Sequence, residues 1–463
     1  MPSLPDIDSP HTAFRRTEKH FKSRVVKYAL PSLRTLPVLD LSRPDEQEDD
    51  EVWKAGWWGP GDVISLQKLR KGKERERGER PDTDVGLLES VRQIRLEDGK
   101  IGWVIAPGCI LIPQYLSPSQ QLQLSQSALE QYTLPPNPLS LSAHYVLPPN
   151  LFHLHSIDSP LLIEPIYSTL SEEEKERALI AQERAGGNRT MVDTRPEVVV
   201  DFEDVLEGNR INEGIIPSSK AGLRTAKELM KELRWANLGW VYQWSTKSYD
   251  FTNPEPIPFP TPLAQLCTNI VKSIPWSEVY QDSKDISWKS WKEDYVPDTG
   301  IVNFYQLKDT LMGHVDRAEL DPSRPLVSIS LGHSTIFLLG SSTRNDQPIP
   351  LILRSGDILI MSGPGRKAYH GVPRIMEGTL PSYFTPSSDD SLSMKTTKEF
   401  LQTARININA RQVFPPGFVR PNPTPSPVVH SESISTSSTL TPTSSVSIDD
   451  MITRCMNVSS YWS

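Results

Sequence analysis

Apolar and polar positions change period several times along this chain, and each change marks an element. The stretch ARININAR, residues 404–411, alternates strictly: Ile406, Ile408 and Ala410 fall on one face, Arg405, Asn407, Asn409 and Arg411 on the other. A period of two predicts a β-strand. Its polar face has two readings, a solvated face on an edge strand or a face turned into the mouth of a barrel to hold an anion. From 300 to 375 short apolar runs (GIVNFYQL, PLVSISLG, STIFLLG, PLILRSGDILIMSG, AYHGVPRI) alternate with Gly and Pro turn signals. Strands at that density predict a sandwich or jelly roll. LGWVYQWSTKSYDF, 238–251, reads as a strand pair packed on the core, and IGWVIAPGCILIPQYL, 101–116, as strand broken at Pro-Gly.

Helical spacing appears elsewhere. In residues 12–28, Phe14, Phe21, Val25 and Tyr28 share a face while Arg15, Arg16, Lys19, Lys22 and Arg24 spread over the rest. That pattern predicts a basic amphipathic helix, docked by its aromatics or offering a phosphate-contacting surface. LSPSQQLQLSQSALEQYT predicts a helix capped by Ser117 or Ser119, and another resumes near LRTAKELMKELRW. Residues 41–98 and 170–220 are charged, with few apolar anchors, and read as loops. Residues 376–398 read as an inserted loop. After Pro415 the chain is rich in Pro, Ser and Thr, too poor in apolar area to fold alone.

Composition adjusts this picture modestly. The chain has 463 residues, 37% hydrophobic, with 42 prolines, so part of it is expected outside any packed core. A formal net charge of -8 argues against a wholly basic nucleic-acid binder but leaves room for a local basic stripe such as Lys68–Arg80. Cys109, Cys267 and Cys455 are far apart and form no CxxC, so a reducing compartment is expected. No apolar run approaches the roughly 18 residues of a membrane span. The opening MPSLPDIDSPHTAFRR lacks the apolar core of a secretory signal.

His314 and Asp316, in GHVDRAE, stand at i and i+2, so in extended backbone both side chains converge on one side. His370 from a later strand completes a two-histidine, one-carboxylate face, the set that suits non-haem Fe(II) oxygenases. With nine histidines in the chain, a chance His-x-Asp is a roughly even event, so the set gains weight only beside a co-substrate site. ARININAR supplies one. The far carboxylate of 2-oxoglutarate needs a buried cation, and the guanidinium fork of Arg405 matches it. Asn303 and Tyr305, again at i and i+2, can add hydrogen bonds. Arg411 lies roughly 20 Å further along an extended strand, nearer the metal, as a partner for Asp316 or for the inner end of the co-substrate; Asn407 and Asn409 lie between.

Asn303-x-Tyr305, His314-x-Asp316, His370 and Arg405-x-Asn407-x-x-x-Arg411, in that order, resemble the catalytic core of the AlkB family of Fe(II)/2-oxoglutarate dioxygenases. NFYQLKDTLMGHVDRAELDPSRPLVSISLG, SGDILIMSG and HGVPRI are similar to the AlkB homologue 1 branch, as is LGWVYQWSTKSY. The resemblance covers 226–414 well, 101–170 weakly and the tail not at all. The charged insert and long tail depart from the compact animal members and fit a fungal-type one.

The resemblance implies an α+β fold: a double-stranded β-helix (jelly roll) core with flanking helices, an N-terminal helical extension and a disordered C-terminal tail. The expected organisation is a basic helical extension over 1–40 and a charged flexible segment over 41–100. A subdomain with a nucleotide-recognition lid follows over 101–290, then the dioxygenase core over 291–414 and the tail over 415–463. Fe(II) is expected on His314, Asp316 and His370, with 2-oxoglutarate and dioxygen as co-substrates. Asn303, Tyr305, Arg405, Asn407 and Arg411 are expected at the 2-oxoglutarate. Trp240 and Tyr242 match the family's lid aromatics and are expected to stack on the substrate base, core packing being the rival reading. The implied reaction is oxidation of a methylated base in tRNA (1-methyladenine, 5-methylcytosine) or DNA (6-methyladenine). A histone demethylase or protein hydroxylase on the same core, and an inactive nucleic-acid-binding relative, are the alternatives. The protein is expected to act as a monomer, off membranes, in the nucleus or cytoplasm, with mitochondria as a further compartment.

Overall fold

A computed structural model describes residues 11–23, 38–42, 63–65, 91–187, 200–212 and 214–421. Two sheets form its centre. The larger has eight strands in the order β3 (Arg92–Arg95), β4 (Ile101–Ala106), β5 (Cys109–Ile112), β16 (Ile358–Met361), β13 (Leu326–Gly332), β18 (Ala404–Arg411), β11 (Thr299–Gln306) and β8 (Trp235–Gly239). The smaller has six, β12 (Leu311–His314), β17 (His370–Ile375), β14 (Thr335–Leu339), β15 (Ile349–Leu353), β1 (Val38–Asp40) and β2 (Val63–Ser65). Two short hairpins stand apart: β6 (Leu162–Ile163) with β7 (Arg224–Thr225), and β9 (Tyr242–Gln243) with β10 (Ser248–Tyr249).

The continuous apolar runs follow from this layering. Successive strand residues point to opposite faces, and here both faces of each sheet are covered. In β16, Leu359 and Met361 join the core between the sheets while Ile358 and Ile360 join the core beneath the helices. In β14, Phe337 and Leu339 face the inter-sheet core, and Ile336 and Leu338 face outward against α1 (Ala13–Lys22). Each such fully buried side chain contributes about 1.5–3 kcal/mol of hydrophobic stabilisation. The two-sheet architecture with flanking helices is the expected jelly roll.

ARININAR is not an edge strand. It forms β18, hydrogen-bonded to β11 on one side and β13 on the other. Ile406, Ile408 and Ala410 are fully buried in the core beneath the helices. The polar face therefore points between the sheets, which decides between the two readings.

Helices cover the outer faces. α2 (Pro118–Glu130) starts at Ser117 with a reciprocal capping box to Gln120, as the sequence predicts. Residues 170–220 are not loop-like: they hold α3 (Glu172–Gly187) and α4 (Phe202–Arg210). Reciprocal bonds between Ser171 and Glu174 start α3, Glu173 and Arg177 pair along it, and Asp201 caps α4. These are charged starts that a scan for apolar anchors passes over. α5 (Ala226–Glu232), begun by a Thr225–Glu228 capping box, and α6 (Thr261–Ser273) complete the cover. The segment 376–398 is not all loop either, since α7 (Leu392–Leu401) starts within it and Phe384 is fully buried.

Described order also reaches into the segment expected to be flexible and past 415. Within 41–100, order returns at β3, where Ile94 is buried between exposed neighbours, and Val63–Ser65 pair in parallel with β1. At the other end Phe418 stacks on Phe414 and Arg420 donates to the Phe251 carbonyl, so docked chain continues past 415. The Lys68–Arg80 run, Arg24, Val25, Tyr28, Cys455 and residues 422–463 lie outside the described residues. No helix among the described residues is long and apolar enough to cross a membrane.

Helix α1 docks by its aromatics. Phe14 and Phe21 are buried against the outer face of the smaller sheet. A Cβ on Gly313 would lie 2.3 Å from the Phe14 ring, so only glycine admits this approach. The Glu18 carboxylate accepts from the Gly313 backbone N–H, one residue before His314.

Candidate metal centre and co-substrate cavity

β12 and β17 run antiparallel with His314 directly opposite His370, and the imidazole centroids lie 4.4 Å apart. His314 Nδ1 is 2.8 Å from the Met312 carbonyl oxygen and His370 Nδ1 is 3.1 Å from that of Ala368. A carbonyl can only accept, so each ring carries its proton on Nδ1 and turns the Nε2 lone pair toward Asp316. His314 Nε2 lies 3.4 Å from Asp316 Oδ1, and His370 Nε2 lies 3.7 Å from Oδ2. One donor atom from each of the three residues lies within 4.8 Å of the others. Two imidazole nitrogens oriented through their far N–H groups, with one carboxylate oxygen, form a fitting face for Fe(II).

Burial pushes the Asp316 carboxyl toward the neutral acid, but the Arg411 charge outweighs it and holds the group well below the usual carboxylate range. Burial lowers His370. Both shifts favour the protonation states a metal needs, an anionic carboxylate and a neutral imidazole.

Arg411 is held by acids on two sides. Its Nη2 donates to Asp316 Oδ2 at 2.9 Å and its Nη1 to Glu319 Oε1 at 3.3 Å. Tyr249 donates to Glu319 Oε1 at 2.9 Å, and Arg366 Nη2 donates to Glu319 Oε2 at 2.8 Å. Sequence reasoning places Arg411 beside Asp316 but misses Glu319, Tyr249 and Arg366. The available signals were an acid three residues beyond Asp316 and a hydroxyl inside an aromatic run.

The other end of β18 is different. Tyr305, His314, Asp316, Ser328, His370, Arg405, Asn407 and Asn409 line one cavity between the sheets, closed by apolar side chains such as Leu311, Met361 and Val372. Arg405 is 1% exposed. It donates to the His333 carbonyl at 2.6 Å and to Ser330 Oγ at 2.8 Å. Among the described residues no carboxylate forms an ion pair with it, and burial lowers its pKa to about 10. A desolvated cation facing a cavity without a counter-ion fits an external anion. Tyr305 is the direct cross-strand partner of Arg405, and Asn303 that of Asn407. Asn407 donates to Ser328 Oγ at 2.9 Å and to the Ile329 carbonyl at 3.0 Å. Asn303 is buried but does not line the cavity.

Trp240 and Tyr242 do not join this cavity. Trp240 is 6% exposed. It packs edge-on against Phe251 and Phe414, with centroids 5.6 and 5.2 Å away, and the Arg420 guanidinium lies over its ring. Tyr242 is half-buried, edge-on to Trp244 and Tyr249. The expectation that Trp240 offers an open stacking face is corrected: its ring surfaces are occupied by a closed aromatic cluster. On α1, Arg15 pairs with Glu18 and Arg16 donates to the His11 carbonyl.

Comparison with known proteins adds the following. The 2OG-Fe(II) oxygenase superfamily model matches residues 194–411, a span that contains every residue of the metal face and the cavity. The DNA N(6)-methyladenine demethylase ALKBH1A of Arabidopsis thaliana is 31% identical over 316 residues, 66% of this chain and 76% of that protein. The tRNA demethylase abh1 of Schizosaccharomyces pombe is 29% identical over 311 residues, 67% of this chain and 80% of that protein. The nucleic acid dioxygenase ALKBH1 of Homo sapiens is 35% identical over 210 residues, 42% of this chain and 49% of that protein.

Proposed function

Because this chain belongs to the 2OG-Fe(II) oxygenase superfamily, among the ALKBH1-type nucleic acid demethylases, we propose that it oxidatively removes methyl groups from bases in nucleic acid, with tRNA as its first substrate and 6-methyladenine DNA as the second. Fe(II), 2-oxoglutarate and dioxygen are the cofactor and co-substrates of the family. His314 Nε2, His370 Nε2 and Asp316 would hold the metal, and Arg405 would hold the far carboxylate of 2-oxoglutarate, with Tyr305 and Asn407 beside it. When bound, the metal and its co-substrates supply the oxidation of a methyl C–H bond, with succinate and carbon dioxide as co-products.

The protein's own part is placement and exclusion. The Met312 and Ala368 carbonyls fix both imidazole tautomers. Arg411 keeps Asp316 ionised. Leu311, Met361 and Val372 keep bulk water from the cavity. A methylated base reaches such an enclosed centre only when it leaves its stack or comes from a single-stranded loop.

One observation carries this reading: the buried Arg405, in ion pair with no carboxylate among the described residues, shares a cavity with the two-histidine, one-carboxylate face. The test is succinate formation by the Fe(II)-loaded protein with methylated tRNA, 6-methyladenine DNA and a methylated histone peptide in parallel, beside Asp316→Ala. Succinate matched by methyl loss from tRNA supports the proposal. Coupling to the peptide alone replaces nucleic acid with protein as substrate, and nucleic-acid binding without succinate leaves an inactive relative. Elution at monomer size is the expected assembly state.

A further inference from the structure

Asp316 has two oxygens, and the metal face needs one of them. A guanidinium beside a carboxylate tends to take both in a parallel pair of hydrogen bonds. Arg411 does not. Its Nη2 reaches Asp316 Oδ2 at 2.9 Å, while its Nη1 is turned away to Glu319 Oε1 at 3.3 Å and the Tyr249 hydroxyl at 3.4 Å. Glu319 is fully buried and cannot swing aside, because Arg366 Nη2 holds its other oxygen at 2.8 Å. Arg366 is itself anchored by donating Nη1 to the Arg324 carbonyl at 2.8 Å. Two acids and two guanidiniums thus form a charge-balanced buried chain, with Asp316 at its open end. Tyr249 enters it from β10, so the β9–β10 hairpin touches the same chain.

We propose that Glu319 is a positioning residue for the metal centre: by drawing off one arm of Arg411 it leaves Asp316 Oδ1 free for a metal ion, and through Tyr249 it ties the β9–β10 hairpin to that centre. Without the Glu319 charge, Arg411 closes on both oxygens of Asp316 and competes with the metal. This rests on the reading of His314, Asp316 and His370 as metal ligands.

The test uses the full chain and Co(II), whose visible d–d spectrum reports coordination number and geometry independently of turnover. Outer partners of metal ligands are typically worth 10- to 100-fold in affinity. Glu319→Gln, close to isosteric, is expected to weaken Co(II) binding by about that factor and to alter the band. Tyr249→Phe, which removes one hydroxyl, should give a smaller loss and a higher ratio of succinate to demethylated base. Folded Glu319→Gln with wild-type Co(II) affinity and spectrum overturns the proposal. If Glu319→Gln does not fold, Tyr249→Phe decides, and wild-type affinity and coupling in that variant overturn it. Wild-type protein that binds no Co(II) and yields no succinate removes the metal reading itself, a different failure from a variant that matches an active wild type.

Discussion

Arg405 and Arg411 sit on the same face of the same strand, six residues apart, and both are buried. Their surroundings are opposite. Arg411 meets two carboxylates and is held well above its ordinary pKa. Arg405 meets only neutral acceptors and is pulled down to about 10. The contrast teaches that a buried cation's role is read from its inventory of partners. One already neutralised by the protein is part of the frame, whereas one left without a counter-ion is a receptor for an anion from outside.

The strongest way to break this contrast acts on the Arg411 end. Asp316→Ala removes the proposed metal donor and one acid of Arg411, and succinate output measured by mass spectrometry is expected to fall to background; residual turnover near wild type would move the metal elsewhere. Arg411→Met comes next. It leaves Asp316 without its guanidinium and Glu319 with Arg366 alone, and breaking such a network costs about 3–5 kcal/mol, read as a lower urea midpoint.

The same substitution at the other end sharpens the comparison. Arg405→Met removes a charge that forms no ion pair among the described residues, so the ligand-free protein should change in stability by less than about 1 kcal/mol. Its 2-oxoglutarate requirement should nonetheless rise on the order of a hundredfold, the effect of truncating one partner of a buried charge pair. Equal destabilisation by the two Arg→Met changes would sink the distinction.

The smallest effect concerns Asp298, whose backbone N–H donates to the Arg411 carbonyl at 2.9 Å. Burial raises its carboxyl from 3.8 to about 7. The folded protein therefore keeps a proton that the unfolded chain releases. That contribution to stability is full below the unfolded value and is lost as pH rises through the folded one. Asp298→Asn, neutral throughout, should gain on wild type by about 2.5 kcal/mol between pH 5 and 8. Parallel stability–pH curves for the two proteins would contradict it.

Much of the site was legible in the sequence because it lies on strands, where a period of two fixes which side chains share a face. Arg405 with Asn407 and His314 with Asp316 follow from i and i+2 spacing, whereas Asn303, paired with Tyr305 by the same rule, stays outside the cavity lining. The His314–His370 pairing required only that two strands adjoin. The helices over Glu172–Gly187 and Phe202–Arg210 were missed because their signals are caps and charge pairs rather than apolar stripes. Glu319 and Arg366 were missed because two charges in a solvated loop and two charges in a buried chain look alike until the chain is folded. Trp240 was misplaced for a related reason: aromatic density suits a stacking platform and a core equally, and only the neighbours Phe251 and Phe414 separate them.

The seat of helix α1 sets a timetable for biosynthesis. Glu18 caps the Gly313 N–H across 295 residues of chain. At about 5–20 residues per second, a ribosome needs roughly 15–60 s to make that stretch, so the helix waits for the strand it braces. Through that interval Phe14 and Phe21 lack their partners on β14 and β15, an opening for a chaperone that the finished protein no longer offers.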